Sequence, residues 1–244
     1  MLIELRLRPI QERLKRTTWG VVLRCRIPPR CVHRVPHLSL YTPNAVTPGQ
    51  VAAVQRALSA ACRRYRYLEC TIDGVGRGEG TEGHFVYYRV FPSAQLVSFR
   101  EDLARRLAAV CPSPKRFEAP EARFLFHVTI AYRLSRQQAD RIWRSLNGSG
   151  PNGVAARPRM TGLLGWLRRL LRLGPGRVSA PVVRAPHLHL FAVRVSLIGD
   201  GQRIVCEYDL PHRRLLNRRE ALDRRGWSRS IEAGRVFRGK DMQS

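Results

Sequence analysis

The sequence predicts an α+β protein with a weak internal duplication, on three observations. Short runs of alternating apolar and polar residues recur along the chain, as half-buried strands require. Amphipathic stretches opened by capping residues separate them, as helices require. The order strand, capped helix, hairpin, helix is then begun a second time. At 244 residues, 44% of them apolar, the chain is long enough to bury a core without disulfides or metal.

The first sixteen residues, MLIELRLRPIQERLKR, are interrupted by charge and lack the apolar run of a secretory signal; Glu4 and Glu12 argue against a mitochondrial presequence. GVVLRCRI (20–27) reads as a first strand, ended by IPPRC. A second strand covers about 35–41 within RVPHLSLYTP. Thr47 and Pro48 supply an N-cap and a first-turn proline, and Gln50 completes a capping box, so QVAAVQRALSAACRRY reads as helix. YLECTI and HFVYYRVF form a hairpin, with glycine-rich DGVGRGEGTEG (73–83) as its flexible tip. That tip lacks the G-K-[ST] ending of a phosphate loop.

QLVSFREDLARRLAAVC is an amphipathic helix stopped by Pro112 and Pro114. A strand at about 124–132 follows within FLFHVTIAYR; Ser135 and Gln138 then offer a second capping box for the helix RQQADRIWRSL. Residues of about 147–180 interrupt the second cycle and read as an insertion. Within it, 161–174 places Leu163, Leu167, Leu170 and Leu171 on one helical face and Arg168, Arg169 and Arg172 on the other. Such a helix suits RNA, an anionic membrane surface or the protein's own core. No window reaches the roughly 20 apolar residues of a spanning helix. HLHLFAVRVSLI and RIVCEYDL flank GDGQ, a hairpin signal. The chain ends as a helix and a frayed basic tail from about 225. One domain, 1–244, and a monomer are expected.

The formal net charge is +26 and the pI about 11.5. A field of that sign gathers polyanions. Lys15, Lys115 and Lys240 are the only lysines, so arginine-rich codon usage offers a second account of the charge. Cys25, Cys31, Cys62, Cys70, Cys111 and Cys206 show no paired spacing, which fits reduced thiols in a cytoplasmic protein.

In a strand, residues i and i+2 share a face. His37, Ser39 and Tyr41 therefore share one, and His127, Thr129, Ala131 and Arg133 another. Brought together, these strands offer two imidazoles and two hydroxyls to one phosphate. Breaking a phosphodiester needs one group to take a proton and another to give one, and imidazole does either near neutrality. The hydroxyls can donate to phosphate oxygens and Arg133 can balance their charge. No metal or other cofactor is needed. His187 and His189 share a strand face but lack the carboxylate or cysteine pattern of a zinc site. His33, His84 and His212 read as surface histidines. Tyr65, Tyr67, Phe85 and Tyr87 interleave with arginines and read as core, with one or two able to stack on bases.

HLS at 37–39 and HVT at 127–129 together resemble the paired H-x-[ST] signature of the two-histidine phosphoesterase superfamily, specifically its 2′-5′ RNA ligase and RNA 2′,3′-cyclic phosphodiesterase-like group. The resemblance covers roughly 20–145 and resumes at about 187–222. It implies a bilobal duplicated fold, with two antiparallel sheets lining a central cleft and helices outside. It also implies a metal-independent phosphodiesterase that opens 2′,3′-cyclic phosphates on RNA ends or small nucleotides to 2′-phosphomonoesters; the same site run backwards joins RNA through a 2′-5′ bond. His37 would be the acid, His127 the base, and Ser39 and Thr129 would hold the phosphate. Two departures stand out. Relatives often carry a basic residue five positions after the second histidine, where this chain has Tyr132; alternation still expects Arg133 on the histidine's face. The insertion has no counterpart in short relatives. A reading of another class, an RNA-binding or membrane-peripheral protein with a non-catalytic cleft, draws on the charge and the insertion.

Overall fold

The computed structural model describes residues 1–120, 122–147 and 186–241. Beyond Asn147, the insertion and its amphipathic stretch 161–174 lie outside the described residues. The strands are β1 (Leu2–Arg6), β2 (His37–Tyr41), β3 (Leu68–Gly80), β4 (Gly83–Pro92), β5 (His127–Leu134), β6 (Leu188–Ala192), β7 (Arg194–Ile198), β8 (Ile204–Asp209) and β9 (Arg214–Asn217). The helices are α1 (Arg8–Arg24), α2 (Pro48–Cys62), α3 (Ala94–Ala108), α4 (Arg136–Asn147), α5 (Arg218–Leu222) and α6 (Arg224–Asp241). They build the expected α+β architecture: a five-stranded sheet in the order β2-β1-β7-β8-β9 and a four-stranded sheet in the order β5-β4-β3-β6. All strand pairs are antiparallel. Helices α1 and α4 back the four-stranded sheet, α2 backs β8, and one continuous cluster of buried apolar residues runs behind both sheets.

Residues 20–24 of the expected first strand are helix, and 25–27 lie beyond its end. They end α1, whose buried Leu14, Thr18, Val21 and Val22 recur at helical spacing. Thr18 Oγ1 lies 3.3 Å from Tyr88 Oη in the core. The valines favour a strand locally, but packing of this face against the sheet decides the outcome. The true first strand, β1, lies in the charge-interrupted leader and runs between β2 and β7, burying Ile3 and Leu5 completely. Both expected capping boxes form. Thr47 N and Oγ1 donate to Gln50 Oε1 at 3.0 and 3.1 Å, and Ser135 N donates to Gln138 Oε1 at 2.9 Å while Gln138 N donates to Ser135 Oγ at 3.2 Å.

The glycine run is strand rather than flexible tip, and Thr81 and Glu82 alone form the turn. Gly76 pairs with Tyr87 and Gly78 with Phe85. A Cβ on Gly76 would lie 2.4 Å from the Tyr87 ring, and one on Gly78 2.6 Å from Phe85. These glycines therefore let two aromatic rings lie across the neighbouring strand.

HLHLFAVRVSLI divides at Val193: β6 closes one sheet and β7 enters the other. β7 and β8 form the hairpin that GDGQ announces. The expected frayed tail is instead α6, with Gly226, Trp227, Ser230 and Gly234 buried. Its basic residues concentrate on the solvent side, which is why composition alone suggested a tail. Trp227 and Ser230 cover a buried polar network. Arg194 Nε and Nη2 donate to Ser230 Oγ at 3.1 and 2.9 Å, Ser230 Oγ donates to Asp209 Oδ2 at 2.7 Å, and Arg194 lies 3.4 Å from Glu207. Ser39, Glu4, Ser196 and Glu207 are cross-strand neighbours in one row over four strands. One face of the five-stranded sheet is thus polar, closed by α6 at one end and carrying His37 at the other. The six cysteines are buried and unbridged. Among the described residues no helix is long and apolar enough to cross a membrane.

Candidate active site

The two histidine strands are edge strands, β2 of one sheet and β5 of the other, and these edges meet. The two strands repeat one local structure. In HLSLY and HVTIA the histidine and hydroxyl are partly exposed, the two alternate residues are buried, and alternation stops at the fifth residue, which is also buried. His37 Nδ1 lies 2.9 Å from Val35 O, and His127 Nδ1 lies 2.9 Å from Leu125 O. A carbonyl oxygen only accepts, so each Nδ1 carries a proton, and in the neutral ring Nε2 is left with its lone pair. The duplicated motif thus orients two imidazoles identically.

Their surroundings differ. Arg6 is the cross-strand partner of His37, and Glu4 Oε2 lies 3.8 Å from His37 Nδ1. Arg6 Nε is 2.7 Å from Glu4 Oε1, off the line of a good hydrogen bond. Burial pushes the Glu4 carboxyl up, while His37 and Arg6 oppose that rise. His127 instead has aromatic neighbours, with ring centroids 5.4 Å away at Tyr87 and 6.0 Å at Phe85. Burial lowers its pKa, against the opposing Leu125 hydrogen bond, and the positive fields of His37 and Lys115 lower it further. The two imidazoles therefore lie within electrostatic reach of each other.

Ser39 and Thr129 are partly exposed on the same strand faces as the histidines, and among the described residues neither hydroxyl has a hydrogen-bond partner. Tyr41 does not share that face: it is buried, accepts from Ser113 N at 2.8 Å and donates to Cys111 O at 3.2 Å. Arg133 does not share it either. The β4–β5 register shifts beside Val86, Ala131 takes a buried place, and the side that alternation would assign to Arg133 falls to Tyr132. Arg133 adopts a φ of 54° and pairs with Glu82 at the exposed rim, its guanidinium 5.6 Å from the Tyr132 ring centre.

His33, expected at the surface, belongs to this cleft. Its ring centre lies 4.9 Å from that of His37, and it stacks on Tyr132 at 4.6 Å. The loop that carries it also supplies Val35 O to His37. Spacing gives no signal for this contact, which arises only when the loop packs against the far end of β5. The aromatic pair Phe85 and Tyr87 lies at the cleft, whereas Tyr65 packs on Phe99 and Tyr67 on Phe191. His187 and His189 flank the opposite edge of the four-stranded sheet, with His187 Nδ1 3.6 Å from Asp73. Among the described residues no three histidine, cysteine or acidic side chains converge as a metal-holding group.

Two imidazoles held by the same kind of Nδ1–carbonyl contact, two unengaged hydroxyls and an aromatic flank thus lie on strands whose edges meet. No curated protein matches the chain. The family model of the 2′-5′ RNA ligase superfamily matches residues 9–156, more than half of the chain and a span that includes both histidine strands. The chain belongs to the 2′-5′ RNA ligase superfamily.

Proposed function

We propose that the cleft opens 2′,3′-cyclic phosphates on RNA ends or small nucleotides to 2′-phosphomonoesters, without a metal ion. Family membership supports phosphoesterase-type activity on RNA or nucleotide substrates in general. The observation that carries the finer reading is the repeated geometry: two imidazoles fixed in one tautomer, each two residues from an unengaged hydroxyl, on strands that meet.

His127, kept neutral by burial, takes a proton on Nε2 from water as the water oxygen attacks phosphorus. His37, with Glu4 beside it as counter-ion, gives a proton from Nε2 to O3′ as the P–O3′ bond breaks. Ser39 and Thr129 donate to the non-bridging oxygens, whose charge grows in the transition state. One water is consumed, the phosphate stays on O2′, and solvent restores both histidines. A 5′-hydroxyl in place of water yields a 2′-5′ linkage. Phe85 and Tyr87 offer a stacking surface for the base. Arg133 reaches a substrate oxygen only by leaving Glu82.

The test is turnover of adenosine 2′,3′-cyclic phosphate by the full chain in chelator, with the product resolved by chromatography. Adenosine 2′-phosphate is the expected product. RNA binding with no turnover would favour the non-catalytic reading.

A further inference from the structure

The cleft holds a third imidazole that the acid–base pair does not use. His33 approaches His37 nearly edge-on, with ring centres 4.9 Å apart and an interplanar angle of 70°. It lies almost parallel to Tyr132, 4.6 Å away at 19°. Two aromatic contacts therefore fix the plane of the ring. Its Nδ1 is shut off from solvent and has no hydrogen-bond partner.

That last fact decides where its proton lies. Orphaned buried N–H groups are rarer in folded proteins than under-satisfied buried acceptors, so a bare Nδ1 is the easier form to bury. The neutral ring therefore carries its hydrogen on Nε2. This is the opposite tautomer to His37 and His127, whose Nδ1–H groups are held by carbonyls. In their neutral forms His37 and His127 carry the hydrogen on Nδ1, whereas His33 presents Nε2–H as a donor.

We propose that His33 is a substrate-contacting residue, donating its Nε2–H to a non-bridging oxygen of the phosphate held between His37 and His127. The proposal rests on the phosphoesterase reading of the cleft and adds a member to its phosphate-binding set. It also accounts for Tyr132: with Arg133 turned to Glu82 at the rim, the side of the strand assigned to a guanidinium is filled by Tyr132 and the imidazole stacked on it. A neutral donor suits that place, because a second imidazolium would compete with His37 for charge. Burial pushes His33 down to about 4, with His37 and His127 adding to the effect, so the ring is neutral wherever His127 can act as a base.

The experiment compares the wild-type chain with His33→Phe, which keeps the ring stack and removes the donor, and His33→Gln, which restores an N–H near the Nε2 position. With adenosine 2′,3′-cyclic phosphate, His33→Phe should lower kcat/KM by about 10- to 100-fold and His33→Gln should recover most of it. Adenosine 2′-phosphate affinity, measured by calorimetry, should fall about tenfold in His33→Phe alone. That binding readout separates the two claims: a wild-type chain that turns over no cyclic phosphate, yet loses ligand affinity in His33→Phe, sinks the reaction and keeps the contact. A long-range ¹H–¹⁵N spectrum of the wild-type chain should show the Nε2–H form for His33 and the Nδ1–H form for His127. An Nδ1–H signal for His33, or unchanged turnover and affinity in a folded His33→Phe chain, overturns the proposal.

Discussion

Acidification should unfold this protein partly through His33, and the size of the effect follows from its burial. The folded-state pKa of about 4 lies below the ordinary 6.5, because the ring is buried beside two other imidazoles. Between those values the unfolded chain binds a proton that the folded chain refuses, so this contribution is intact above 6.5 and is lost as pH falls toward 4. A gap of about 2.5 units at about 1.36 kcal/mol each corresponds to about 3 kcal/mol in full, and to about 2 kcal/mol by pH 5. Other groups titrate over the same range, so the informative quantity is a difference. Urea unfolding of the wild-type chain and of His33→Gln at pH 7.5 and 5 should show the wild type losing about 2 kcal/mol more than the variant. Parallel losses in the two chains would refute the placement of His33 in a buried site beside two other imidazoles.

Gly76→Val should displace the Tyr87 ring, which a Cβ there would approach to 2.4 Å; thermal unfolding should show a loss of about 2 kcal/mol, whereas Gly49→Ala, with nothing within 4 Å, should be neutral or mildly stabilising. Phe85→Ala should raise KM for a cyclic nucleotide by about 5- to 150-fold, since stacking contributes about 1–3 kcal/mol per base, and should leave a base-free ribose cyclic phosphate nearly unaffected in steady-state kinetics. Replacing Arg168, Arg169 and Arg172 with Gln should flatten the salt dependence of RNA binding, by about 0.7 in log–log slope for each lost phosphate contact. Loss of sedimentation with anionic vesicles at unchanged RNA affinity would instead assign 161–174 to a membrane surface.

The legible parts of this fold are those whose signal is local. Thr47 with Gln50 and Ser135 with Gln138 announce helix starts because capping bonds join residues three apart. GDGQ announces the β7–β8 hairpin for the same reason. The repeated histidine–hydroxyl spacing put His37 with Ser39 and His127 with Thr129 on strand faces, since a side-chain period of two survives for three residues without help. It fails at the fifth residue of both strands, where Tyr41 and Ala131 turn into the core and carry the Arg133 assignment with them. A register shift belongs to the pair of strands and not to either alone. The valines of α1 and the glycines of β3 misled for a related reason. The α1 face that buries Val21 and Val22 also carries Thr18, which meets Tyr88 70 positions away, and the glycines lie under Tyr87 and Phe85, 11 and 7 positions away, partners that local propensity does not see. His33 was hidden most deeply, because its loop position says nothing of the imidazole and phenol it meets.

The most direct measurement is a double-variant cycle on kcat with adenosine 2′,3′-cyclic phosphate in chelator, over pH 5 to 9. If His37 and His127 act as acid and base in one step, each change to Ala should lower kcat by about a hundredfold or more. The double variant should fall little below the worse single one, and the wild-type profile should be bell-shaped. Near-normal turnover in either single variant, or losses that multiply in the double, would contradict the pairing of the two imidazoles on one phosphate.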